Sequence, residues 1–285
     1  MKVLLAIFTI TLNSAFCMAQ FNWQTNPVGA VFARQGGETP EGTFRFTNDG
    51  YEVYTLVCSD KSFQPASLFY GENNVDKQKV DALAPEGKVP TSMNCFVVRT
   101  VSGYIMFDTG LPASKGGKTL ERLASLKISP ADITAIYITH SHFDHIGGLL
   151  DEVGKAVYPN AKVYIPAAEF SFMRDTMKDA SEQIASAYAG RIITLEPGDI
   201  LPDNILSISA KGHTPGHTAY RLGNLLFAGD LMHGASIQLI DPTINANYDA
   251  DCAQAVTTRN LLLSYAAANS LTILGAHIPG NGVIF

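Results

Sequence analysis

The chain has 285 residues, of which 46% are hydrophobic and 16% are charged, and its formal net charge is −6. This composition supplies a hydrophobic core and excludes an intrinsically disordered protein. Because the negative charge leaves no basic surface for nucleic acid, we expect a small-molecule substrate and no nucleic-acid partner. The composition does not decide between a monomer and a homodimer.

The first 19 residues have the pattern of a secretory signal peptide. Lys2 supplies a positive start, an apolar run covers residues 3–12, and small residues precede a cleavage position after Ala19. The run is too short to cross a bilayer as a helix, so we expect no stable membrane insertion. We predict a secreted or periplasmic protein whose mature chain covers residues 20–285. Lipidation at Cys17 is the less favoured alternative, because the residue before it is bulky.

The mature chain alternates short strands with helices and contains no linker between domains. Runs of β-branched and aromatic residues predict strands, and apolar residues at helical spacing predict helices. The predicted strands cover residues 51–58, 94–100, 104–107, 133–138, 162–165, 192–195, 205–209, 218–222, 225–227 and 271–274, and the predicted helices cover residues 118–126, 146–157, 168–188 and 252–267. This order predicts one α/β domain in which two mixed sheets pack face to face between outer helices, a four-layer αββα sandwich.

Three cysteines remain after cleavage at Ala19, namely Cys58, Cys95 and Cys252. Their spacing resembles neither a disulfide framework nor a CxxC metal site. We expect buried thiols, and one disulfide is the alternative in an oxidising compartment.

All seven histidines lie between positions 140 and 277, and the densest group follows a predicted strand. His140, His142, Asp144 and His145 leave the end of that strand within six residues. Imidazole nitrogen and carboxylate oxygen are common zinc ligands, and alternate residues of an extended loop can face one ion. We therefore predict that His140 and His142 share one metal and that Asp144 and His145 reach a second.

The remaining ligands are expected downstream, each at or just beyond the end of a predicted strand. His213 lies in a Gly-His-Thr-Pro-Gly-His segment, Asp230 follows Phe-Ala-Gly, and His277 follows Gly-Ala. Together these motifs resemble those of the metallo-β-lactamase superfamily, in order and over nearly the whole mature chain. The resemblance implies that His140, His142 and His213 bind the first metal, that Asp144, His145 and His277 bind the second, and that Asp230 bridges both.

Three neighbouring residues are given other roles. The resemblance implies a structural role for His217, and it implies that Asp108 orients the loops of the metal site without binding metal. His233 follows Asp230 closely, so we expect it either to line the pocket or to be a buried supporting residue.

The metal pair defines the expected chemistry. Two divalent ions, most simply two Zn(2+) per chain with iron or manganese as alternatives, lower the pKa of a bridging water and supply a hydroxide nucleophile. Asp144 is the predicted proton acceptor and donor, and Asp230 is the second predicted catalytic residue. Gly-Asp-Leu-Met-His at 229–233, with Gln238 and Arg259, resembles the methyl parathion hydrolase branch and related secreted lactonases.

That branch implies hydrolysis of esters, lactones or phosphotriesters at an apolar pocket. A glyoxalase-type thioesterase and a β-lactamase are alternative hydrolases. An iron-dependent persulfide dioxygenase on the same scaffold, and a metal-binding protein without turnover, are alternatives from other classes, because specificity in such folds resides in the pocket loops.

Overall fold

The protein is described by a computed structural model that covers residues 39–101 and 103–284. The predicted signal peptide over residues 1–19 lies outside these described residues. Within them, no helix combines the length and the apolar character needed to cross a bilayer.

The larger sheet has seven strands, which follow one another in space in the order of the chain. They are β1 (Thr43–Asn48), β2 (Tyr51–Val57), β5 (Asn94–Thr100), β6 (Gly103–Phe107), β7 (Ile133–Tyr137), β8 (Lys162–Pro166) and β9 (Ile192–Leu195). The strands from β1 to β6 pair antiparallel, whereas those from β6 to β9 pair parallel. The sheet is therefore mixed.

The smaller sheet has six strands, also in chain order, and a short hairpin lies apart from both sheets. The hairpin is β3 (Phe63–Pro65) with β4 (Lys88–Pro90), and the six strands are β10 (Ile200–Leu201), β11 (Ile205–Ser209), β12 (Thr218–Leu222), β13 (Leu225–Gly229), β14 (Thr272–Gly275) and β15 (Val283–Ile284). Only the β13–β14 pair among these six described strands is parallel, so this sheet is mixed as well.

The α-helices differ widely in length. They are α1 (Lys77–Leu83), α2 (Thr119–Ser125), α3 (Phe143–Ile146), α4 (Ala167–Thr176), α5 (Lys178–Ala187), α6 (Ala235–Gln238) and α7 (Cys252–Ala268).

Separate hydrophobic clusters define the layers. One cluster fills the space between the sheets, where the rings of Phe107 and Phe227 stack with centroids 3.6 Å apart. A second lies on the outer face of the larger sheet and includes Leu123 of α2 and Met173 of α4. A third joins Leu262 of α7 to the outer face of the smaller sheet. The predicted four-layer αββα sandwich is confirmed.

The prediction of a helix over residues 146–157 is wrong. Only α3, at Phe143–Ile146, and a 3₁₀ turn occur there, and the chain then forms a tight turn. A Cβ at Gly148 would overlap the carbonyl oxygen of Thr109. The segment therefore packs against the loop that contains Thr109 more closely than a regular helix with side chains at this position could. The carboxylate of Asp151 accepts two backbone N–H groups of the turn that follows, which competes with helical hydrogen bonding.

The helix predicted over residues 168–188 is two helices, α4 and α5. They are separated at Met177, whose φ of −138° and ψ of 54° are not helical. The sequence around Met177 contains no Gly or Pro, so the break has no local signal. Strands β1, β3, β4, β10 and β15 and helices α1 and α6 were not predicted, because most are short and depend on tertiary partners.

The thiol prediction is partly right. Cys58 and Cys95 are buried free thiols in the cluster outside the larger sheet, but Cys252 is exposed at the start of α7. No disulfide joins the cysteines of the described ranges.

The topology brings four functional loops to one edge of the sandwich. β13 and β14 are parallel, so the loops that follow them leave the smaller sheet at the same edge. The loop after β7 reaches that edge from the larger sheet, and the N–H of Thr218 donates to the carbonyl of Thr139 at 3.0 Å across the two sheets. The loop before β12 completes the group.

Candidate metal centre

Four of the predicted ligands gather around one point. His140 Nε2 and His142 Nδ1 are 3.1 Å apart, and His142 Nδ1 and His213 Nε2 are 2.8 Å apart. Asp230 Oδ2 lies 3.6 Å from His140 Nε2 and 3.3 Å from His213 Nε2. One ligand atom from each residue lies within 4.8 Å of all the others, a spacing at which four ligands can share one ion.

The other three predicted ligands form a second group beside the first. His145 Nε2 lies 3.8 Å from Asp144 Oδ1, and His277 Nε2 lies 3.4 Å from Asp144 Oδ2. Their ligand atoms are again within 4.8 Å of one another. These three residues are the ones that the resemblance assigns to the second metal, and the first group contains those that it assigns to the first.

Asp230 lies between the two groups. Its Oδ1 is 3.1 Å from His145 Nε2, and its Oδ2 is 3.1 Å from His277 Nε2, while the same Oδ2 faces the first group. The side chain is almost fully buried. One carboxylate therefore faces both groups, which is the placement expected of a bridging ligand.

Several of the imidazole rings are fixed from outside the centre by a hydrogen bond at Nδ1. Because each partner is a carboxylate or carbonyl oxygen, the ring nitrogen that faces it carries a proton, and Nε2 points inward, where it can bind a metal once it carries no proton itself. The pairs are His145 with Asp108 Oδ2 at 2.8 Å, His213 with Asp249 Oδ1 at 3.0 Å, and His277 with the backbone oxygen of Ser92 at 2.8 Å.

Asp108 organises the histidine loop. Its carboxylate accepts the N–H of Thr139 at 2.8 Å and the hydroxyl of Thr139 at 2.7 Å, in addition to His145. Since the Thr139 hydroxyl donates its only proton to Asp108, it must accept from His140 Nδ1, 3.1 Å away. This arrangement leaves the Nε2 lone pair of His140 directed at the centre as well.

These atoms suit a bound cation. A buried carboxylate surrounded by imidazole nitrogens requires compensating positive charge, and His145 Nε2 and Asp230 Oδ1 are buried without a hydrogen-bond partner among the described residues. Positive charge at the centre, from protons or from metal ions, removes both problems. Imidazole and carboxylate together form a donor set typical of zinc.

The pKa values of His213 and His277 show which of these rings is neutral and which holds a proton in the metal-free protein. Burial lowers the pKa of His213 to about 4, so this ring is neutral at pH 7 and ready to act as a ligand. Burial also works to lower the pKa of His277, but the charge of Asp230 and the hydrogen bond with Asp144 raise it to about 10. In the metal-free protein a proton on His277 therefore compensates the carboxylates, and a metal ion would displace that proton.

The centre opens to solvent through a cavity of about 260 Å³. Asp144 lies in its wall, and its side chain keeps 22% of its surface exposed. Beside the predicted metal ligands, the described lining contains apolar or aromatic side chains, polar side chains and one lysine. The apolar or aromatic residues are Met93, Leu111, Phe143 and Tyr248, the polar ones are Gln64, Thr91 and Ser92, and the lysine is Lys61.

His217 and His233 behave differently. His217 Nε2 accepts the backbone N–H of Asp230 at 3.2 Å, and its Nδ1 donates to the carbonyl of Ala210 at 2.9 Å. Both nitrogens are used, which agrees with the structural role expected for His217. His233 lines the cavity, with Nε2 3.1 Å from Asp230 Oδ2 and a buried Nδ1 that has no hydrogen-bond partner in the described chain.

Two buried carboxylates that contact the ligand loops were not assigned a role from the sequence. Glu169 contacts two of the loops, and Asp249 orients His213. Asp249 is itself 3.6 Å from the buried guanidinium of Arg259. The local sequence does not mark the roles of these two residues, because their partners are distant in the chain.

A family model described as "Metallo-beta-lactamase superfamily" matches residues 89–277. The chain belongs to the metallo-beta-lactamase superfamily. The matched residues contain all seven predicted ligand positions, and the predicted membership is confirmed.

Known members of the superfamily are similar over different parts of the chain. A hydroxyacylglutathione hydrolase of Aeromonas salmonicida (strain A449) is 31% identical over 188 residues, 60% of this chain and 64% of that protein. The probable metallo-hydrolase YqgX of Bacillus subtilis (strain 168) is 27% identical over 164 residues, 53% of this chain and 72% of that protein. The chain thus spans less than two thirds of the length of the first of these relatives.

Solved structures match over more of the fold. The hydrolase AbOPH of the beta-lactamase superfamily superposes with a TM-score of 0.76 and 28% identity, covering 86% of this chain and 93% of that one. AidC, a dizinc quorum-quenching lactonase, superposes with a TM-score of 0.74 and 23% identity over 85% and 92% of the two chains. The second likeness shows the fold alone. These relatives are hydrolases, in agreement with the predicted enzyme class.

The Asp249–His213 contact gives a first prediction. Asp249→Asn removes the charge that orients His213, so we expect zinc affinity at the first group of ligands to fall about 10- to 100-fold. Competition with a chromophoric chelator measures this change. Asp175→Asn, at an exposed carboxylate of α4, is the matched control. Unchanged zinc affinity in Asp249→Asn would show that the contact has no orienting role.

Proposed function

We propose that the protein is a hydrolase with two metal ions, most simply zinc, held by His140, His142, His213, Asp144, His145, His277 and Asp230. The observation that carries this proposal is the inward direction of the Nε2 atoms toward one buried carboxylate, with each ring fixed at Nδ1 by a hydrogen bond from outside the centre. A purely structural cluster of histidines has no need of this arrangement.

The chain's own residues have distinct roles in the proposed reaction. When bound, the two ions supply a water of lowered pKa and the positive charge that polarises a carbonyl or phosphoryl oxygen. Asp144 faces the cavity, and burial works to raise its pKa. His145 and His277 outweigh burial and lower that pKa, so Asp144 is ionised and can take a proton and return it to the leaving group. Asp230 holds the two halves of the centre together.

The cavity mouth favours a neutral, partly apolar substrate. Met93, Leu111, Phe143 and Tyr248 offer apolar surface beside the metal ligands, and Lys61 is the one lysine or arginine among the described lining residues. We therefore propose cleavage of ester, lactone or phosphotriester bonds. The likeness to the hydrolase AbOPH supports hydrolysis, and the fold shared with AidC, a quorum-quenching lactonase, is compatible with a lactone substrate.

A substrate panel on the purified protein, with its metal content measured in the same samples, tests the proposal. We expect kcat/KM for acyl lactones, aryl esters or aryl phosphotriesters to exceed that for β-lactams by at least about tenfold. Inactivity toward every ester, lactone and phosphotriester at two metals per chain would refute the proposed activity. Redox-active iron with oxygen consumption would instead establish a dioxygenase.

A thioesterase is the second candidate, favoured by the similarity to hydroxyacylglutathione hydrolases. A thioester of an anionic peptide would need cationic side chains at the mouth, and the described lining offers Lys61 alone. Lys61→Ala separates the candidates. It should weaken turnover of an anionic thioester through a raised KM and leave a neutral lactone unaffected.

We also propose that residues 1–19 direct export and are removed. Fractionation of expressing cells followed by mass determination of the mature protein tests this proposal. A measured mass that corresponds to a chain beginning at Gln20 supports the proposal. A protein that retains Met1 and is found in the cytoplasmic fraction contradicts it.

A further inference from the structure

Glu169 is a buried carboxylate whose four hydrogen-bond partners are all donors from the ligand loops. It lies in the first turn of α4 and has no exposed surface. Its Oε1 accepts the backbone N–H of Ser141 at 2.9 Å and the hydroxyl of Ser141 at 2.6 Å. Its Oε2 accepts the hydroxyl of Thr214 at 2.7 Å and the N–H of Gly216 at 3.0 Å.

Each oxygen serves a different loop. Ser141 lies between His140 and His142, and Thr214 directly follows His213. One rigid carboxylate therefore links the two loops that supply the three imidazoles of the first metal group. The nitrogens of those imidazoles are separated by 2.8 and 3.1 Å, so a small shift of one loop against the other changes the group directly.

The local structure is adapted to this contact. A Cβ at position 216 would overlap the backbone of Glu169, so only glycine allows the second loop to approach α4 this closely. The carboxylate lies in the first turn of α4, at the positive end of the helix dipole. An amide at position 169 would direct an NH₂ group at donors of one loop and lose two acceptor sites.

We infer that Glu169 is a positioning residue that sets the spacing of the two loops and so determines the affinity of the first metal group. This inference rests on the proposed function, because it assumes that the group binds a metal. The second group has two further anchors that Glu169 does not touch, namely Asp108 behind His145 and the Ser92 carbonyl behind His277. Loss of the Glu169 contacts should therefore weaken binding of the first metal more than binding of the second.

The experiment is a cobalt(II) titration of metal-free protein, followed by visible absorption with a competing chelator. His213→Ala and His277→Ala identify which binding step belongs to which group. In Glu169→Gln we expect the first-group dissociation constant to rise about 10- to 100-fold and the second-group constant to stay within about twofold. Glu182→Gln, at an exposed glutamate of α5, is the matched control and should leave both steps unchanged.

Two milder variants keep the test decisive if Glu169→Gln does not fold. Ser141→Ala and Thr214→Val each remove one hydroxyl donor and leave the carboxylate in place, so each should weaken the first step by a smaller factor. Equal weakening of both steps, or no weakening of either, in the variants that fold would overturn the inference. If the wild-type protein binds no pair of ions, the proposed function fails; if it binds two and Glu169→Gln binds both equally well, only the role of Glu169 fails.

Discussion

Replacement of Asp230 by Asn is expected to lower kcat/KM by at least about a thousandfold, equivalent to about 4 kcal/mol of transition-state stabilisation. Asp230 is the carboxylate that faces both groups of ligands, with oxygens 3.1 Å from His145 and from His277. The amide keeps the shape of the side chain and removes its negative charge. Steady-state kinetics on the best substrate of the panel and metal content per chain measure the two effects.

The circular dichroism spectrum of Asp230→Asn should match that of the wild type, because the centre lies at the edge of the sandwich and outside its hydrophobic clusters. Asp175→Asn is again the control at an exposed carboxylate and should retain both activity and metal. Activity within tenfold of wild type at full metal content would show that Asp230 is not the bridging ligand.

Removal of the metals with a chelator is expected to abolish activity and to lower the thermal unfolding midpoint. An ion present at a thousand times its dissociation constant stabilises the folded state by about 4 kcal/mol. For a domain of this size that corresponds to a shift on the order of 10 °C per ion. The proton that metal-free His277 binds, with its pKa of about 10, offsets part of the loss. Differential scanning calorimetry before and after chelation measures the shift.

Added zinc should restore both the midpoint and the activity. Asp230→Asn supplies an internal control, since a protein that no longer holds metal should show little change on chelation. An unchanged midpoint and unchanged activity in chelator-treated wild type, with metal loss verified by elemental analysis, would contradict a metal-dependent mechanism.

The part of the centre that the sequence predicts is the part encoded locally or at the ends of strands. His140, His142, Asp144 and His145 lie on one loop, where their alternation can be read directly. His213, Asp230 and His277 could be added because polar residues beyond strand ends collect at one edge of a sheet. The structure brings all seven together.

The supporting residues could not be found in this way. Glu169 begins a helix and Asp249 lies in a loop, and each is defined by partners more than 25 residues away. The wrongly predicted helix at residues 146–157 has the same origin, since the apolar spacing was correct but Gly148 must lie against Thr109. In each case a tertiary contact decided the outcome.

The most direct test of a two-metal centre is a crystal structure of the protein as purified, with anomalous diffraction recorded at the absorption edge of the metal found by elemental analysis. We expect two anomalous peaks on either side of Asp230, one within about 2.0–2.1 Å of nitrogens of His140, His142 and His213. The other should lie within bonding distance of Asp144, His145 and His277. An ion bound elsewhere, or well-ordered histidines with no peak between them, would contradict this expectation.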